Sequence, residues 1–252
     1  MNYIITDKSC ISAFSDAIDA DNHKHWMLQL FYAIDRDLLI NAAGSEIKCK
    51  CIVVNTNIVH NFSTQSRLHF TMLIDCLSPI GLDIIEKFLR RNEYYVFDND
   101  KLFNMQPDVL KQRSITIQFY EHFVSSLLDT IGVKMNSALN YNERIVKVIE
   151  QLKNCDCTDH SISEIASNVY ISPSRLSHHF KEETGMSLKS YVLLHMAKKA
   201  YLVLLQNGNI TNAALDAGFD SPSHFAATNK KLTGMSATNI SKNSVFLKAS
   251  CV

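Results

Sequence analysis

A pattern of helix-capping residues occurs twice in this chain and constrains its fold more than any other feature. Residues Ser172–Ser174 have the sequence Ser-Pro-Ser, and residues Thr184–Ser187 have the sequence Thr-Gly-Met-Ser. Ser is a favoured N-cap, Pro a favoured first helical residue and Gly a favoured C-cap, so a short helix is predicted between them. The same signals recur 49 residues later, at Ser221–Ser223 and Thr233–Ser236. This repetition indicates two copies of one supersecondary unit, the alternative being chance similarity between two helical hairpins.

A shorter helix is predicted before each of these helices. Ser161 lies three residues before Glu164, which is the spacing of a capping box, and Ile165 and Val169 continue an apolar face. A short capped helix, a turn and a second helix form a helix-turn-helix. We therefore predict two such units, at residues 162–183 and 210–232.

The second helix of each unit has an outer face of small, polar and basic side chains. Leu176 and Phe180 lie four residues apart and predict the buried side of the first of these helices. The candidate DNA contacts are Ser174, Arg175, Ser177, His178 and Lys181 in the first unit, and Ser223, His224, Ala226, Ala227 and Lys230 in the second. Arg175 can form two hydrogen bonds with guanine, which is the commonest specific contact. A solvated charge or a packing role is the alternative for this residue.

Residues 162 to about 241 resemble the DNA-binding domain of the AraC/XylS family of bacterial transcription regulators. The residues that carry the resemblance are Ile165–Ala166, Ser172, Leu176–Ser177, Phe180–Lys181 and Gly185–Ser187, followed by Ala214, Gly218–Phe219, Ser223, Phe225, Lys230–Lys231 and Gly234. The resemblance implies binding to double-stranded promoter DNA and contact with RNA polymerase, with activation more common than repression. Asn229 stands where the family usually has Phe, so we expect the second unit to have a poorer core and to discriminate less between sequences.

The charge balance is compatible with this interpretation but does not require it. The chain has 25 Lys and Arg and 25 Asp and Glu, which alone argues against a strong nucleic-acid binder. From Tyr141 onward there are 12 of the basic and 9 of the acidic residues. The formal net charge of this part is therefore +3, and that of the remainder is −3. A mildly basic DNA-binding half and an acidic or neutral sensor half fit that asymmetry.

The N-terminal part has short β-prone segments broken by Asp, Asn, Gly and Ser. We predict a small β-sandwich or barrel over residues 1–78, which makes the chain an α+β protein with an all-α C-terminal domain. This part is similar to the cupin-like sensor domain of AraC-type regulators. The similarity rests on His23 and His25 before a strand, Gln29 within it, a turn at Gly44 and His60 near the end of a later strand.

His25, Gln29 and His60 are the candidate ligand-binding residues of this sensor domain, with a small-molecule effector as the expected ligand. Metal-binding cupins have an acidic residue where this chain has Gln29, and an amide is a poor metal ligand. We therefore predict neither a metal nor another cofactor. His25 and His60 either line a pocket or are ordinary histidines of a strand edge or loop.

Helices and linkers are expected to occupy the rest of the chain. We predict a helical segment at residues 79–132, with helices over 80–91 and 106–130, a linker at 133–142 and the DNA-binding domain at 143–245. The helix over 106–130 has more apolar positions than one neighbour can cover, so it packs either on the sandwich or on a second subunit of a homodimer. A connecting helix over 187–205 would be about 28 Å long, near the roughly 34 Å of one DNA turn. We expect the tail from Ser241 to be frayed.

The remaining signals concern location and rival functions. The seven Cys are odd in number and follow no signal peptide, and no apolar run reaches a membrane span of roughly 18 residues. We therefore expect reduced thiols in a cytoplasmic protein. No nucleophile–base set or phosphate-binding loop is evident, so we predict a transcription regulator and not an enzyme. The alternatives are a metal-dependent cupin enzyme with an appended DNA-binding module and an adaptor whose doubled helical unit binds protein.

Overall fold

The computed structural model describes residues 2–134, 141–154, 161–207, 209–241 and 244–249. The chain divides into two compact units. Unit one comprises Met1–Ser137 together with Asn229–Val252, and unit two comprises Ala138–Thr228. This division differs from the predicted DNA-binding domain at 143–245, because residues 229 onward belong to unit one. Most of the predicted linker at 133–142 lies outside the described residues.

Unit one contains two β-sheets, which confirms the predicted α+β class with an N-terminal sandwich. The strands are β1 Asn2–Thr6, β2 Cys10–Ser15, β3 Asp19–His23, β4 Leu28–Ala33, β5 Leu38–Ala42, β6 Ser45–Cys49, β7 Cys51–Val54, β8 His60–Ser63, β9 His69–Ile74, β10 Tyr94–Phe97 and β11 Val245–Lys248. The larger sheet has the order β10-β7-β4-β9-β2-β1-β11, and the smaller sheet has the order β3-β8-β5-β6.

The two sheets share an apolar core. Phe31 on β4 of the larger sheet and Phe62 on β8 of the smaller sheet are fully buried, and their ring centroids lie 4.9 Å apart. The predicted turn at Gly44 is a two-residue hairpin between β5 and β6, in which Ala43 and Gly44 both have positive φ. Positive φ at both positions matches the strand twist, which is why Gly suits this turn.

The helices between β9 and the start of unit two differ from the prediction. They are α1 Pro79–Ile84, which continues as a π-helix at Ile85–Leu89, a 3-10 helix at Asp100–Met105, α2 Gln106–Leu110 and α3 Ile117–Thr130. The single helix predicted over 106–130 is therefore wrong. The chain breaks before Thr116, whose side chain caps α3 by accepting a hydrogen bond from Phe119 N. The predicted helical segment 79–132 also contains the aromatic strand β10.

The apolar surplus of α3 packs on the protein's own larger sheet. Phe123 is buried, and its ring lies 5.2 Å from Phe14, 5.8 Å from Tyr32 and 5.0 Å from Phe70. Tyr120 is also buried and its hydroxyl lies 3.0 Å from that of Ser12 on β2. The apolar face of α3 is thus buried within its own subunit. The sequence alone allowed either this packing or contact with a second subunit.

Unit two is helical, as predicted. Its helices are α4 Glu143–Asn154, α5 Ile162–Asn168, α6 Pro173–Thr184, α7 Leu188–Asn207, α8 Ile210–Asp216 and the first part of α9 Pro222–Thr233, whose last residues belong to unit one. The 20 residues of α7 correspond to about 30 Å. Its buried positions include Tyr191, Ala197 and Tyr201, and Tyr191 packs its ring 5.4 Å from that of Phe180.

The C-terminal residues correct a further prediction. The tail from Ser241 is not frayed throughout, because α10 Ala237–Ser241 is followed by β11, which pairs in parallel with β1. The Asn2 side chain also donates a hydrogen bond to Ser244 Oγ at 2.6 Å. Residues near both ends of the chain therefore share one edge of the larger sheet, and this long-range pairing has no local signal in the sequence.

Candidate nucleic-acid interface and histidine cluster

The first helix-turn-helix consists of α5 and α6, and its caps are those the sequence predicts. Ser161 Oγ accepts a hydrogen bond from Glu164 N at 3.2 Å, and Ser172 Oγ accepts one from Arg175 N at 3.4 Å. At the other end of α6, Gly185 has a φ of +74°. The caps fix both ends of α6 with local bonds alone.

Burial along α6 separates the two predicted faces. Leu176 and Phe180 are fully buried, whereas the candidate contacts Ser174, Arg175, His178 and Lys181 are exposed. Ser177 is half-buried, and its hydroxyl donates to Pro173 O at 2.9 Å, which leaves its oxygen only as an acceptor. The Arg175 guanidinium makes no hydrogen bond or ion pair with the part of the chain that the structure describes.

The second unit repeats the first atom by atom at the end of its second helix. Thr184 Oγ1 donates to Phe180 O at 2.6 Å and accepts from Met186 N at 3.2 Å. In the second copy, Thr233 Oγ1 donates to Asn229 O at 2.9 Å and accepts from Met235 N at 3.1 Å. The shared Thr-Gly-Met-Ser sequence therefore encodes one C-terminal geometry in both copies.

The turns of the two units differ in length. The second helices are related by 49 residues, but α5 and α8 begin 48 residues apart, at Ile162 and Ile210. The second turn contains one more residue, and the left-handed position is Gly218 there and Tyr170 in the first turn. A Tyr in this conformation is strained relative to Gly. The Tyr170 side chain is 91% exposed, so its own burial does not offset that strain.

The first turns of α9 carry no cation corresponding to Arg175 of α6, and the two lysines of α9, Lys230 and Lys231, lie in its last turn. Ser223, Ala226 and Ala227 are exposed, whereas His224 is half-buried with its ring 5.2 Å from that of Phe219. Small exposed side chains permit close approach of another surface, but they supply no charge. This agrees with the prediction that the first unit provides most sequence discrimination, which stays a prediction.

Asn229 does not damage the core in the way the sequence suggested. The side chain is fully buried, and Nδ2 donates to Met235 O at 2.8 Å. In the first unit the equivalent position, Phe180, fills space against Tyr191. The expected core defect is therefore absent. A buried amide that has a hydrogen-bond partner destabilises the fold far less than a buried amide without one.

Lys230 takes part in an ion pair that the sequence did not reveal. Its Nζ contacts Asp21 Oδ2, and the hydrogen bond from Lys230 lowers the pKa of Asp21. Asp21 N also donates to Gly234 O at 3.3 Å. Lys230 was predicted to contact DNA, and any phosphate would have to compete with Asp21 for it. A Lys and an Asp 209 residues apart in sequence carry no signal that would pair them.

The structure brings His25, Gln29 and His60 together and adds His23. The two paired residues His23 and His60 lie on β3 and β8 of the smaller sheet, and Gln29 lies on β4 of the larger one. Gln29 Oε1 lies 3.1 Å from His25 Nε2 and 2.8 Å from His60 Nε2. The cluster thus lies between the two sheets.

Burial keeps these imidazoles neutral. It lowers the pKa of His25 to about 3 and that of His60 to about 4, and it also lowers the pKa of His23. Neighbouring rings in the cluster add to the shifts of His25 and His60, because two protonated imidazoles so close would repel each other. At neutral pH all three rings can therefore act as lone-pair donors.

A separate cleft of unit one has a cavity volume of about 450 Å³ and a charged lining. Lys50 Nζ lies 5.1 Å from the ring centroid of Phe103, and burial lowers the pKa of Lys50. The other residues lining the cleft are Asp35, Arg36, Asp37, Lys48, Arg67 and Gln106. None of the predicted ligand residues belongs to this set, and no local sequence pattern indicates the cleft, because its residues come from several strands and loops.

Part of the chain is similar to known proteins in sequence. Residues 165–243 match the model of a helix-turn-helix domain family. A stretch of 131 residues is 28% identical to the transcriptional regulator SirC of Salmonella typhimurium strain SL1344, and it covers 50% of this chain and 44% of SirC. The SirC of Salmonella typhi matches equally. The chain therefore spans less than half the length of these curated relatives.

Solved structures of ToxT from Vibrio cholerae share the fold over nearly the whole chain. The apo form of a ToxT variant from strain SCE256 has a TM-score of 0.57 at 10% identity, covering 96% of this chain and 95% of ToxT. The wild-type ToxT of that strain bound to an unsaturated fatty acid has a TM-score of 0.50 at 12% identity, covering 90% and 93%. At such identities the similarity shows the fold alone.

The fold and the repeated caps define a protein with an N-terminal β-sandwich and a doubled helix-turn-helix. Together with the match of residues 165–243 and the SirC relatives, these features support the resemblance of the chain to AraC/XylS regulators. Among the helices that the structure describes, none is both long enough and apolar enough to cross a bilayer.

Proposed function

We propose that the chain is a sequence-specific DNA-binding transcription regulator in which α6 enters the major groove of promoter DNA. The observation that carries this proposal is the exposed, N-capped face of α6. Ser174, Arg175 and His178 project from its first turns while Leu176 and Phe180 hold it to the helical core. In a helix-turn-helix, the N-terminal residues of the second helix contact base edges.

The second unit has a supporting role in this proposal. Lys230, Lys231 and the small residues Ala226 and Ala227 are exposed on α9, and they suit phosphate contact and close approach better than base recognition. The repeated C-terminal caps give α6 and α9 the same local geometry. Two equivalent helices joined by a long helix such as α7 suit adjacent turns of one duplex.

Replacing Arg175 is the direct test of base recognition. We expect Arg175→Ala to weaken binding to the preferred sequence by about 1–3 kcal/mol, roughly 5- to 150-fold, because two hydrogen bonds to guanine are lost. The preferred sequence is obtained by selection from a random duplex library with the wild-type chain. Arg175→Lys is the matched control, since it keeps the charge but not the paired donors. If Arg175→Ala selects the same sequence with unchanged affinity, Arg175 makes no base contact.

Releasing Lys230 should strengthen the non-specific part of DNA binding. We expect Asp21→Asn to raise affinity for an unrelated duplex and to steepen the dependence of log affinity on log salt by about 0.9, which corresponds to one added phosphate contact. Fluorescence anisotropy over a salt series measures both. Asp19→Asn is the control, because Asp19 is an exposed acid of the same strand. Equal effects of the two variants would mean that net charge alone matters.

The proposed regulator also needs an effector and protein partners. The wild-type ToxT structure described above holds a fatty acid, and the cleft at Lys50 and Arg67 offers cations beside the Phe103 ring, so an anionic small molecule is one candidate effector. RNA polymerase as a partner and a cytoplasmic location are proposed from the resemblance to AraC/XylS regulators. A homodimer is a weaker proposal, because α3 already packs on its own sheet.

A further inference from the structure

The histidine cluster of unit one has the donor set and the orientation of a metal site. We propose that His23, His25 and His60, with the amide oxygen of Gln29, bind one divalent transition-metal ion, for which Zn²⁺ is the best match. The three ligand nitrogens lie within 4.8 Å of one another, on residues described by the structure. This assignment reverses the expectation from the sequence that no metal is bound.

Each ring is fixed by the same kind of bond at its other nitrogen. The Nδ1 atoms of His23, His25 and His60 lie 2.8 Å from Asp21 O, 3.0 Å from Met27 O and 2.8 Å from Ile58 O. A carbonyl oxygen can only accept, so each Nδ1 carries the proton and each Nε2 of a neutral ring has a free lone pair. Backbone carbonyls that orient imidazoles in this way are a common outer shell of metal-bound histidines.

The lone pairs in the cluster exceed the protons available to them. Gln29 Oε1 is itself an acceptor, and it faces two Nε2 atoms that also lack protons. If the amide is turned over, its two N–H groups satisfy His25 and His60 but not His23. His23 Nε2 is shielded from solvent and has no hydrogen-bond partner within 3.5 Å among the described residues. One cation at the centre would satisfy all of these lone pairs.

The surroundings favour a metal over a proton as that cation. His25 is 5% exposed and His60 is 1% exposed, and His23 is also buried. A charge on one buried ring would be poorly solvated, whereas a metal ion would be held by all of these side chains at once.

The ligand chemistry selects among metals. Three imidazoles and one amide oxygen form a neutral set without carboxylates, which suits Zn²⁺, Co²⁺ or Ni²⁺ and does not suit Mg²⁺ or Ca²⁺. Zinc–nitrogen bonds of about 2.0–2.1 Å require nitrogens about 3.4 Å apart in a tetrahedron. The nitrogens now lie within 4.8 Å of one another, so metal binding would draw them together by up to about 1.4 Å.

Metal binding would join the two sheets at a point next to residues of the C-terminal segment. His23 and His60 lie on β3 and β8, whereas Gln29 lies on β4 of the other sheet. A Cβ at Gly234 would lie 2.7 Å from His23 Nδ1, which shows how closely this segment packs on the cluster. The proposed site itself does not depend on DNA binding by unit two.

The test is Co²⁺ and Zn²⁺ binding by the full-length chain after treatment with a chelator. We expect one Co²⁺ per chain with the visible absorption of a tetrahedral site and without the charge-transfer band of a thiolate ligand. Zn²⁺ should displace Co²⁺. The missing thiolate band matters because Cys10, Cys49, Cys51 and Cys76 are free thiols.

Ligand variants assign the site to its residues. We expect His25→Ala and His60→Ala each to weaken Co²⁺ binding at least 100-fold. His69→Ala is the matched control, since His69 is buried and its Nδ1 lies 2.8 Å from a carbonyl, Arg67 O, yet it lies outside the cluster. It should bind Co²⁺ like the wild type.

The Zn²⁺ affinity of Gln29→Glu provides a second test that does not depend on whether the histidine variants fold. A carboxylate in a site with metal should tighten Zn²⁺ binding at least tenfold, because it adds a negative ligand. A cluster that only stabilises the sandwich would instead be destabilised by a buried carboxylate and would gain no affinity. The proposal is overturned if the wild type takes up neither ion at micromolar concentrations, or if Gln29→Glu leaves the affinity unchanged or lower.

Discussion

Phe180→Ala should unfold the first helix-turn-helix and abolish DNA binding. Phe180 is completely buried, and its ring lies 5.4 Å from that of Tyr191 on α7. Truncating a buried Phe to Ala costs about 3–5 kcal/mol, and that is a large share of the stability of one small unit. Helical circular dichroism in urea would show an earlier transition. The fluorescence of Trp26, the single tryptophan of the chain, reports on unit one, and it should change little.

The repeat supplies the control for this prediction. Asn229 occupies the position of Phe180 in the second copy, and Asn229→Ala removes a buried amide that donates to Met235 O. We expect a smaller loss of about 1–3 kcal/mol, since a hydrogen bond is lost rather than the packing of a large ring. Equal losses for the two variants would show that the two copies do not differ in the way described.

Gly234→Ala should destabilise unit one by more than Gly185→Ala destabilises unit two. Both glycines end equivalent helices with positive φ, +69° and +74°, so both variants lose about 1 kcal/mol to the left-handed conformation. At Gly185 a Cβ meets no atom within 4 Å. At Gly234 it would lie 2.7 Å from His23 Nδ1 and 2.8 Å from Asp21 O, which adds about 1–3 kcal/mol of overpacking.

Trp26 fluorescence and helical circular dichroism distinguish the effects of the two glycine variants. Gly234→Ala should shift the Trp26 transition, because the collision involves β3 of unit one, whereas Gly185→Ala should shift the helical signal alone. A Trp26 transition that is identical in Gly234→Ala and in the wild type would contradict the packing of Gly234 on β3.

Local signals made the helical half predictable. Ser161, Ser172 and Gly185 encode their caps through bonds to residues three or four positions away, so the sequence was sufficient to place α5 and α6. The repeat in sequence became a repeat in hydrogen bonds at Thr184 and Thr233 for the same reason. The one-residue difference between the turns was missed, because only the second helices share the quoted residues.

Long-range contacts could not be predicted in this way. Two contacts depend on which distant segments meet in the fold and not on nearby residues in the sequence. They are the ion pair of Asp21 with Lys230 and the pairing of β11 with β1. The break before Thr116 was obscured because apolar positions continue through it, and a pattern of burial does not show where a cap intervenes.

The sequence identifies the candidate histidines as one set, but it does not show how their lone pairs converge. His23 and His25 were evident as a pair, yet Gln29 was treated as evidence against a metal because only its charge was considered. Its position opposite His60 follows from which strands face each other across the sandwich. Sequence spacing cannot supply that position, so the converging lone pairs became visible only in three dimensions.

The pairing of β11 with β1 has a consequence for biosynthesis. A ribosome releases β1 first, but the strand that completes its edge emerges only after the helical region has been made. Until then the nascent sheet has an unpaired rim, which is a known starting point for misassembly. Pairing of that side of β1 thus waits until β11 has been translated, and a polypeptide cut short before Val245 would leave that rim open to other chains.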